Sequence, residues 1–453
     1  MHVEVSDSYR IGCGVLMNKG DMQFRNPKRT VNSKQDLSFY EYYAGYTEGF
    51  VEDVLEFLGL PQGSIVLDPW NGSGTTTRTA NNCGYSSVGF DLNPVMAVVA
   101  KANLLDGSVE SSLSSIAEDI VAKAKRFRLS NLELSDDPLL VWMTAVTTKA
   151  IRRIERALQQ LLLPTATYVP IIGLNGLQRI SSLTAFYYVA LFRVTRNLFR
   201  RFRGSNPTWI KKPASVSQIL DVEPTVIFNR YLATVEEMLR FLPSLTVRRG
   251  PLAIIGVGTS ESLPLKDGYI DTVITSPPYC TRIDYAIATQ PELAILGYSI
   301  SDVRRLRMQM IGTPTIKPEV PEPSEQWSEQ CTKTLEKVRS HSSKASGTYY
   351  YKHYLQYFDS LYNSLHEIDR VLKAQGSCAL VVQNSYYKDV EIDLAAIVNS
   401  MVEFLEWSLV ERVDYGTKRT IAAINSRSNA YMTTGRHTVE SIMIFRKGAT
   451  RDV

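Results

Sequence analysis

VLDPWNGSGTT, residues 66–76, reads as the end of a β-branched strand, a glycine turn and the start of a helix. Asp68 closes the strand. Gly72 and Gly74 let the backbone of the turn approach a ligand at the carboxyl edge of a parallel sheet. SVGFDLNPVMAVVAKANLL (87–105) repeats the pattern, and its strand ends at Asp91, 23 residues after Asp68. An acidic residue at about that distance suits a ribose diol, because a carboxylate accepts from both hydroxyls. The turn lacks the GxGxxG spacing of dinucleotide binders and the GK[ST] ending of a phosphate loop, which argues against NAD and ATP.

Outward from this unit, FYEYYAGYTEGFVEDVLEFLGL (39–60) predicts a loop entering an amphipathic helix, with Val51, Val54, Leu55 and Leu58 at helical spacing. Residues 108–245 hold four helical stretches: SSLSSIAEDIVAKAKRF, LLVWMTAVTTKAIRRIERALQQLLL, SSLTAFYYVALFRVTRNLFRRF and RYLATVEEMLRFL. Strand character returns at PLAIIGVG and YIDTVITSPPY. A proline-bearing polar stretch follows and reads as a mobile loop. Tyr354, Phe358, Leu361, Leu365, Ile368 and Leu372 then predict a core-facing helix, with Gly376 placed to stop it. SCALVVQNS, LVERVDYG and ESIMIFRK predict strands. Strands alternating with helices on both sides of the interruption predict an α/β fold built on a doubly wound, mostly parallel sheet, with a large helical insertion.

The chain has 453 residues, 44% hydrophobic and 21% charged, with a net charge of +4. This composition excludes wholesale disorder. No apolar stretch reaches the ~18 residues that span a bilayer, and MHVEVSDSYR lacks a signal-peptide pattern. Cys13, Cys83, Cys280, Cys331 and Cys378 show neither disulfide nor zinc spacing, which fits a cytoplasmic location. His2, His341, His353, His366 and His437 likewise show no ligand spacing, so no metal is expected. The charge is uneven. LFRVTRNLFRRFRGSNPTWIKKP (191–213) carries seven cations (Arg193, Arg196, Arg200, Arg201, Arg203, Lys211 and Lys212) and no acid, leaving −3 elsewhere. Phe192, Phe199, Phe202 and Trp209 lie among them, a mixture that suits phosphates and bases. In isolation the segment reads rather as the solvated arginine face of an amphipathic helix.

ITSPPY (274–279) follows a hydrophobic strand that reaches the same carboxyl edge. Pro277 and Pro278 stiffen the turn and remove two amide donors. The Ser276 hydroxyl and Pro277 carbonyl are two oxygens for an exocyclic amino group, and Tyr279 is a flat face for its ring. Hydrogen bonds to the two amine protons draw the nitrogen lone pair out of conjugation and make it nucleophilic.

Together, DPWNGSGTT and TSPPY resemble motifs I and IV of the DNA amino-methyltransferases, whose usual forms are DPFxGSGTT and [DNS]PP[YFW]. The stretch at 39–58 resembles motif X, GFDLNP resembles motif II, and HEIDRVLKAQGSCALVV resembles the family's RVLKPGG junction. The resemblance covers 39–105, 250–300 and 350–446, and leaves the insertion uncovered. It implies a Rossmann-like class I methyltransferase sheet, S-adenosylmethionine as cofactor and double-stranded DNA as partner. It places Tyr46, Thr47, Asp68, Pro69, Asn71, Gly72, Ser73, Gly74, Thr75, Asp91, Leu92 and Asn93 at the cofactor, with Asp91 on the ribose and Asn93 beside the adenine. Ser276, Pro277, Pro278 and Tyr279 would hold the target amine, which attacks the sulfonium methyl in line after the base flips out. Thr259 replaces the acidic residue of the family's motif III.

The implied organisation is a catalytic domain in three parts (1–107, 246–300 and 348–453), a helical insertion at 108–245 as candidate DNA-recognition region, and a mobile loop at 301–347 as a second DNA contact. Trp209 and the seven cations are the DNA-contact candidates. SPPY is commoner in the N4-cytosine branch than in the N6-adenine branch, so cytosine is favoured. Restriction–modification or phage defence, with a partner endonuclease, is the setting the resemblance implies. The competing readings are an N6-adenine enzyme, an RNA amino-methyltransferase and a non-catalytic cofactor-binding specificity subunit.

Overall fold

Alternation along the strands builds the frame. Val66, Ile274, Ala379 and Val381 pack into one apolar layer, whereas Leu67, Val273, Leu380 and Val382 pack into another. Strands buried on both faces in this way form the centre of a covered parallel sheet. The computed structural model describes residues 23–28, 39–41, 45–128, 134–164, 168–203, 209–242, 251–280, 283–417 and 438–448.

Helix α1 (Glu48–Leu58) starts where the Thr47 hydroxyl accepts from the Phe50 amide, and ends at Gly59 in the left-handed region. β1 (Ile65–Asp68), α2 (Thr75–Asn82), β2 (Ser86–Asp91) and α3 (Pro94–Ala102) follow in the expected order. The insertion contributes α4 (Glu110–Arg126), α5 (Ala145–Leu162), α6 (Gly173–Gln178), α7 (Ser182–Leu198) and α8 (Pro224–Leu239). α7 is buried on nearly every side, packing on α3, α5 and α8. Next come β3 (Ala253–Val257), β4 (Ile270–Thr275), α9 (Tyr285–Ala288), α10 (Gln290–Ile295), α11 (Ile300–Gln309) and α12 (Glu329–Ser340). The chain ends with α13 (Tyr351–Val371), β5 (Leu372–Gln383), the hairpin β6 (Ser385–Tyr387) and β7 (Val390–Ile392), α14 (Leu394–Glu403), β8 (Trp407–Thr417) and β9 (Thr438–Lys447).

The main sheet has seven strands in the order β3-β2-β1-β4-β5-β9-β8. The first five are parallel; β9 and β8 are antiparallel to their neighbours. The chain leaves β1 toward β2 on one side and β4 toward β5 on the other. The β1–β4 junction is therefore the topological switch point, where a doubly wound sheet opens a crevice at its carboxyl edge. Among the described residues no helix is long and apolar enough to cross a membrane.

Two expectations are corrected. Residues 301–347 are not a loop throughout: α11 and α12 occupy much of the stretch, and Trp327, Cys331, Leu335 and Val338 are buried in the layer beneath α13. The prolines interrupt the chain between these helices, and the apolar stripe of α12 still finds the core. Gly376 does not stop α13. The helix ends at Val371, Leu372 already pairs with Ile270, and Gly376 lies within β5 beside a register irregularity. Gln375 takes the left-handed turn there, at φ 60°.

Candidate active site

Asp68 ends β1 and is buried, and its carboxylate gathers three elements. Thr275, the last residue of β4, donates its hydroxyl to Oδ1 at 2.5 Å. Tyr46, just before α1, donates to Oδ2 at 3.0 Å, and the Trp70 amide donates to Oδ1 at 3.1 Å. The Thr76 hydroxyl donates to the Ile274 carbonyl at 3.1 Å and also meets the Tyr46 hydroxyl. Burial pushes the Asp68 carboxyl up, and the Thr275, Thr76 and Tyr46 hydroxyls oppose that rise. Asp68 thus ties the glycine turn to the strand that carries ITSPPY.

The turn itself is anchored to β2. The Asn71 amide donates to the Phe90 carbonyl at 2.9 Å, and the Gly72 amide donates to Asp91 Oδ2 at 2.8 Å. Asp91 Oδ1 accepts from the Asn93 amide at 2.7 Å. Burial pushes the Asp91 carboxyl up to about 6, against the pull of those two amides. Gly74 sits at φ 83°, where a Cβ would come within 2.8 Å of Ala100. Pro69, Asn71, Ser73 and Thr75 are buried in the turn, and Leu92 is partly exposed. Asn71 Nδ2 is buried without a hydrogen-bond partner.

Asn93 is turned inward. Its Oδ1 accepts from the Val95 amide as the cap of α3, and its Nδ2 donates to Thr289 Oγ1 at 2.9 Å. Thr47 likewise spends its hydroxyl on the cap of α1. Thr259 accepts from the Glu261 amide at 3.3 Å in a local turn.

Beyond Thr275, Ser276 and Tyr279 are partly exposed and Pro277 is buried. Two clamps hold this loop: the Tyr357 hydroxyl donates to the Pro278 carbonyl at 2.9 Å, and the Tyr279 hydroxyl donates to Glu440 Oε1 at 2.8 Å. Burial, with the Glu440 charge added, pushes the Tyr279 phenol well above its ordinary value, so it stays protonated and donates. Tyr285 lies close enough to Asp91 for that charge to help raise its own phenol, after burial. Thr275, Tyr285, Tyr357 and Glu440 were not assigned roles from sequence. Only Glu440 leaves a signal there: a carboxylate opening the apolar run ESIMIFRK.

The basic segment divides. Arg196 points inward, donating to Glu292 Oε1 at 3.1 Å and to the Tyr40 hydroxyl at 2.5 Å. Arg193 pairs with Glu237 at 3.1 Å. Phe192, Phe199 and Phe202 are core residues, so the expectation that they stand among the cations as stacking faces is corrected: the apolar side of the helix needs them. Arg200, Arg201, Trp209, Lys211 and Lys212 are exposed and Arg203 is partly so. Arg201 also donates to the Gln218 carbonyl, and the Lys211 carbonyl accepts from Trp142 Nε1 at 3.0 Å.

The family model described as "DNA methylase" matches residues 270–452, which hold the ITSPPY strand and everything after it. Over that stretch, about two fifths of its length, the chain is similar to the DNA methylases. The Type II methyltransferase M.BsoBI of Geobacillus stearothermophilus is 25% identical over 300 residues, 62% of this chain and 56% of that protein. The Type II methyltransferase M.MjaII of Methanocaldococcus jannaschii is 31% identical over 87 residues, 19% of this chain and 16% of that one. Among solved structures, a SAM-dependent methyltransferase of Methanosarcina mazei aligns with 86% of this chain and 95% of its own, at 10% identity and a TM-score of 0.27. The chain thus spans little more than half the length of the first of these relatives.

S-adenosylmethionine is the cofactor that this likeness implies, and the residues fit it. Asp91 keeps carboxylate lone pairs beyond its two amide donors, Asn71 keeps an unsatisfied buried amide, and Gly74 leaves a cradle that a side chain would fill.

Proposed function

We propose that this chain is a site-specific DNA methyltransferase that methylates the exocyclic amine of a flipped base, N4 of cytosine, within a restriction–modification or defence setting. The observation that carries the reading is the meeting of two loops at one sheet edge, with Asp68 and Thr275 bonded across the β1–β4 switch point. One loop suits a nucleoside and the other suits an amino group beside an aromatic ring. Supporting the cytosine assignment is Ser276, in the SPPY form commoner in that branch.

S-adenosylmethionine, when bound, supplies an activated methyl group on a sulfonium centre. Asp91 would hold the ribose hydroxyls, and the turn Pro69–Thr75 would bound the methionine end. Ser276 and the Pro277 carbonyl would accept the two amine protons, favouring the nitrogen as it becomes tetrahedral. Ser276 is too weakly basic to remove a proton first, so the proton leaves after transfer, by way of water. The two clamps on residues 278 and 279 keep these groups in place, and positioning of this kind supplies most of the rate. Arg200, Arg201, Arg203, Lys211 and Lys212 would take DNA phosphates, with Trp209 as a face for base stacking and double-stranded DNA as substrate.

Methylome sequencing of a naive host expressing the gene tests the reading, since it gives base and site together. N4-methylcytosine in one short sequence context is the expected result. N6-methyladenine overturns the cytosine assignment, and an unmodified genome overturns the activity.

A further inference from the structure

β9 runs antiparallel to β5, so its first residues lie at the sheet edge where β4 and β5 end; Glu440 pairs in register with Gln383, the last residue of β5. Glu440 is 6% exposed. One carboxylate oxygen accepts from the Tyr279 hydroxyl at 2.8 Å, and the other is buried with no partner. Burial is the main cause that raises the Glu440 carboxyl, while the Tyr279 hydroxyl and the Lys28 charge pull it back. A carboxylate kept from water with a single donor works against stability. An apolar residue would close the run SIMIF at lower cost, so what Glu440 serves is the loop it grips.

A tyrosine ring turns about two side-chain torsions: a tether at the hydroxyl oxygen fixes the first, and because the phenol O–H prefers the ring plane, the direction of its hydrogen bond restrains the second. We infer that Glu440 is a positioning residue of the methyl transfer, holding the Tyr279 ring by its hydroxyl so that one face is presented to the flipped base. The inference rests on the methyltransferase reading above. It assigns a role to a residue far from both sequence motifs, on a strand with no other part in the site. Tyr357 acts on the backbone of the same loop through the Pro278 carbonyl, whereas Glu440 accepts from the ring's own hydroxyl, which the Ser276 side chain also meets.

The test is a double-variant cycle on the full chain, with S-adenosylmethionine and unmethylated mixed-sequence duplex DNA. Glu440→Ala and Tyr279→Phe should each lower kcat about tenfold while cofactor Kd stays within about twofold, as expected for loss of one charge-assisted hydrogen bond. The double variant should be no slower than the slower single, because both remove the same hydrogen bond. Glu440→Gln keeps an acceptor oxygen and should restore kcat to within about threefold of the parent. A kcat for Glu440→Ala equal to the parent, or a double variant slowed by the product of the singles, overturns the assignment. Should Glu440→Ala not fold, Glu440→Gln decides alone: a rate near that of Tyr279→Phe overturns the assignment, and a rate near the parent supports it. Failure of the parent chain to methylate any DNA would overturn the methyltransferase reading itself, a result distinct from either.

Discussion

Asp91 gives the molecule a pH signature near neutrality. Its carboxyl lies up at about 6 in the folded chain, above an ordinary value of ~3.9, so the folded state holds the proton more tightly than the unfolded one. Stability from this group is therefore present at low pH and is lost as pH rises from about 4 to about 6. Thermal melts across that window should show the decline, and Asp91→Asn should remove it. Cofactor affinity should move the other way, because the ionised carboxylate accepts best from ribose hydroxyls. Calorimetric titration should find binding weakening by up to about tenfold per pH unit below that point in the parent, and flat in Asp91→Asn. Thr275→Val removes a hydroxyl donor from the buried Asp68, which should cost about 1–3 kcal/mol in denaturant unfolding. These residues were unequally legible in the sequence. Asp68 and Asp91 stand beside local turn signals that a short window reveals. Thr275 stood in plain view within ITSPPY, yet its partner is 207 residues away, and Glu440 is 161 residues from Tyr279. Spacing rules carry no information about pairs that only strand order brings together.

Among the elements, α7 and the chain beyond it divide a run of cations that the sequence presents as uniform. Helical phase decides which are free: Arg196 faces the core and pairs with Glu292, which is 1% exposed, whereas Arg200 faces solvent. Arg196→Ala should cost about 3–5 kcal/mol of stability by leaving that carboxylate unpaired, with little change in the salt dependence of DNA binding. Replacing Arg200, Lys211 and Lys212 with Ala should leave the melt nearly unchanged. It should weaken DNA binding and lower the salt slope by about 0.9 for each phosphate no longer neutralised, measured by fluorescence anisotropy over a salt series. A slope unchanged by the triple variant would remove this segment from the DNA interface. The stretch 301–347 shows how composition misleads in the opposite direction. Prolines and polar residues dominate it, yet Cys331, Leu335 and Val338 form a narrow stripe that is enough to seat α12. Gly376 misleads likewise, because the end of α13 and the start of β5 meet without a turn, and the glycine is spent on strand register instead.

At the scale of the whole molecule, the parallel sheet and its interruption were legible because buried strands and amphipathic helices differ in period, and that difference survives in a single sequence. How the insertion packs was not legible, since α7 is apolar on nearly all sides and its neighbours are set by tertiary contacts. The antiparallel end of the sheet, β9 inserted between β5 and β8, was also hidden, and with it the route by which Glu440 reaches the site. Central to the proposed function is that the two loops meeting at the β1–β4 crevice join a methyl donor to a base amine in DNA. Purified chain incubated with radiolabelled S-adenosylmethionine and either unmethylated duplex DNA or tRNA tests this directly, with the labelled nucleic acid then digested and its nucleosides weighed. The predicted result is label in DNA alone, carried by N4-methylcytosine and abolished by Ser276→Ala with Tyr279→Ala; label in tRNA, or none in DNA, would contradict it.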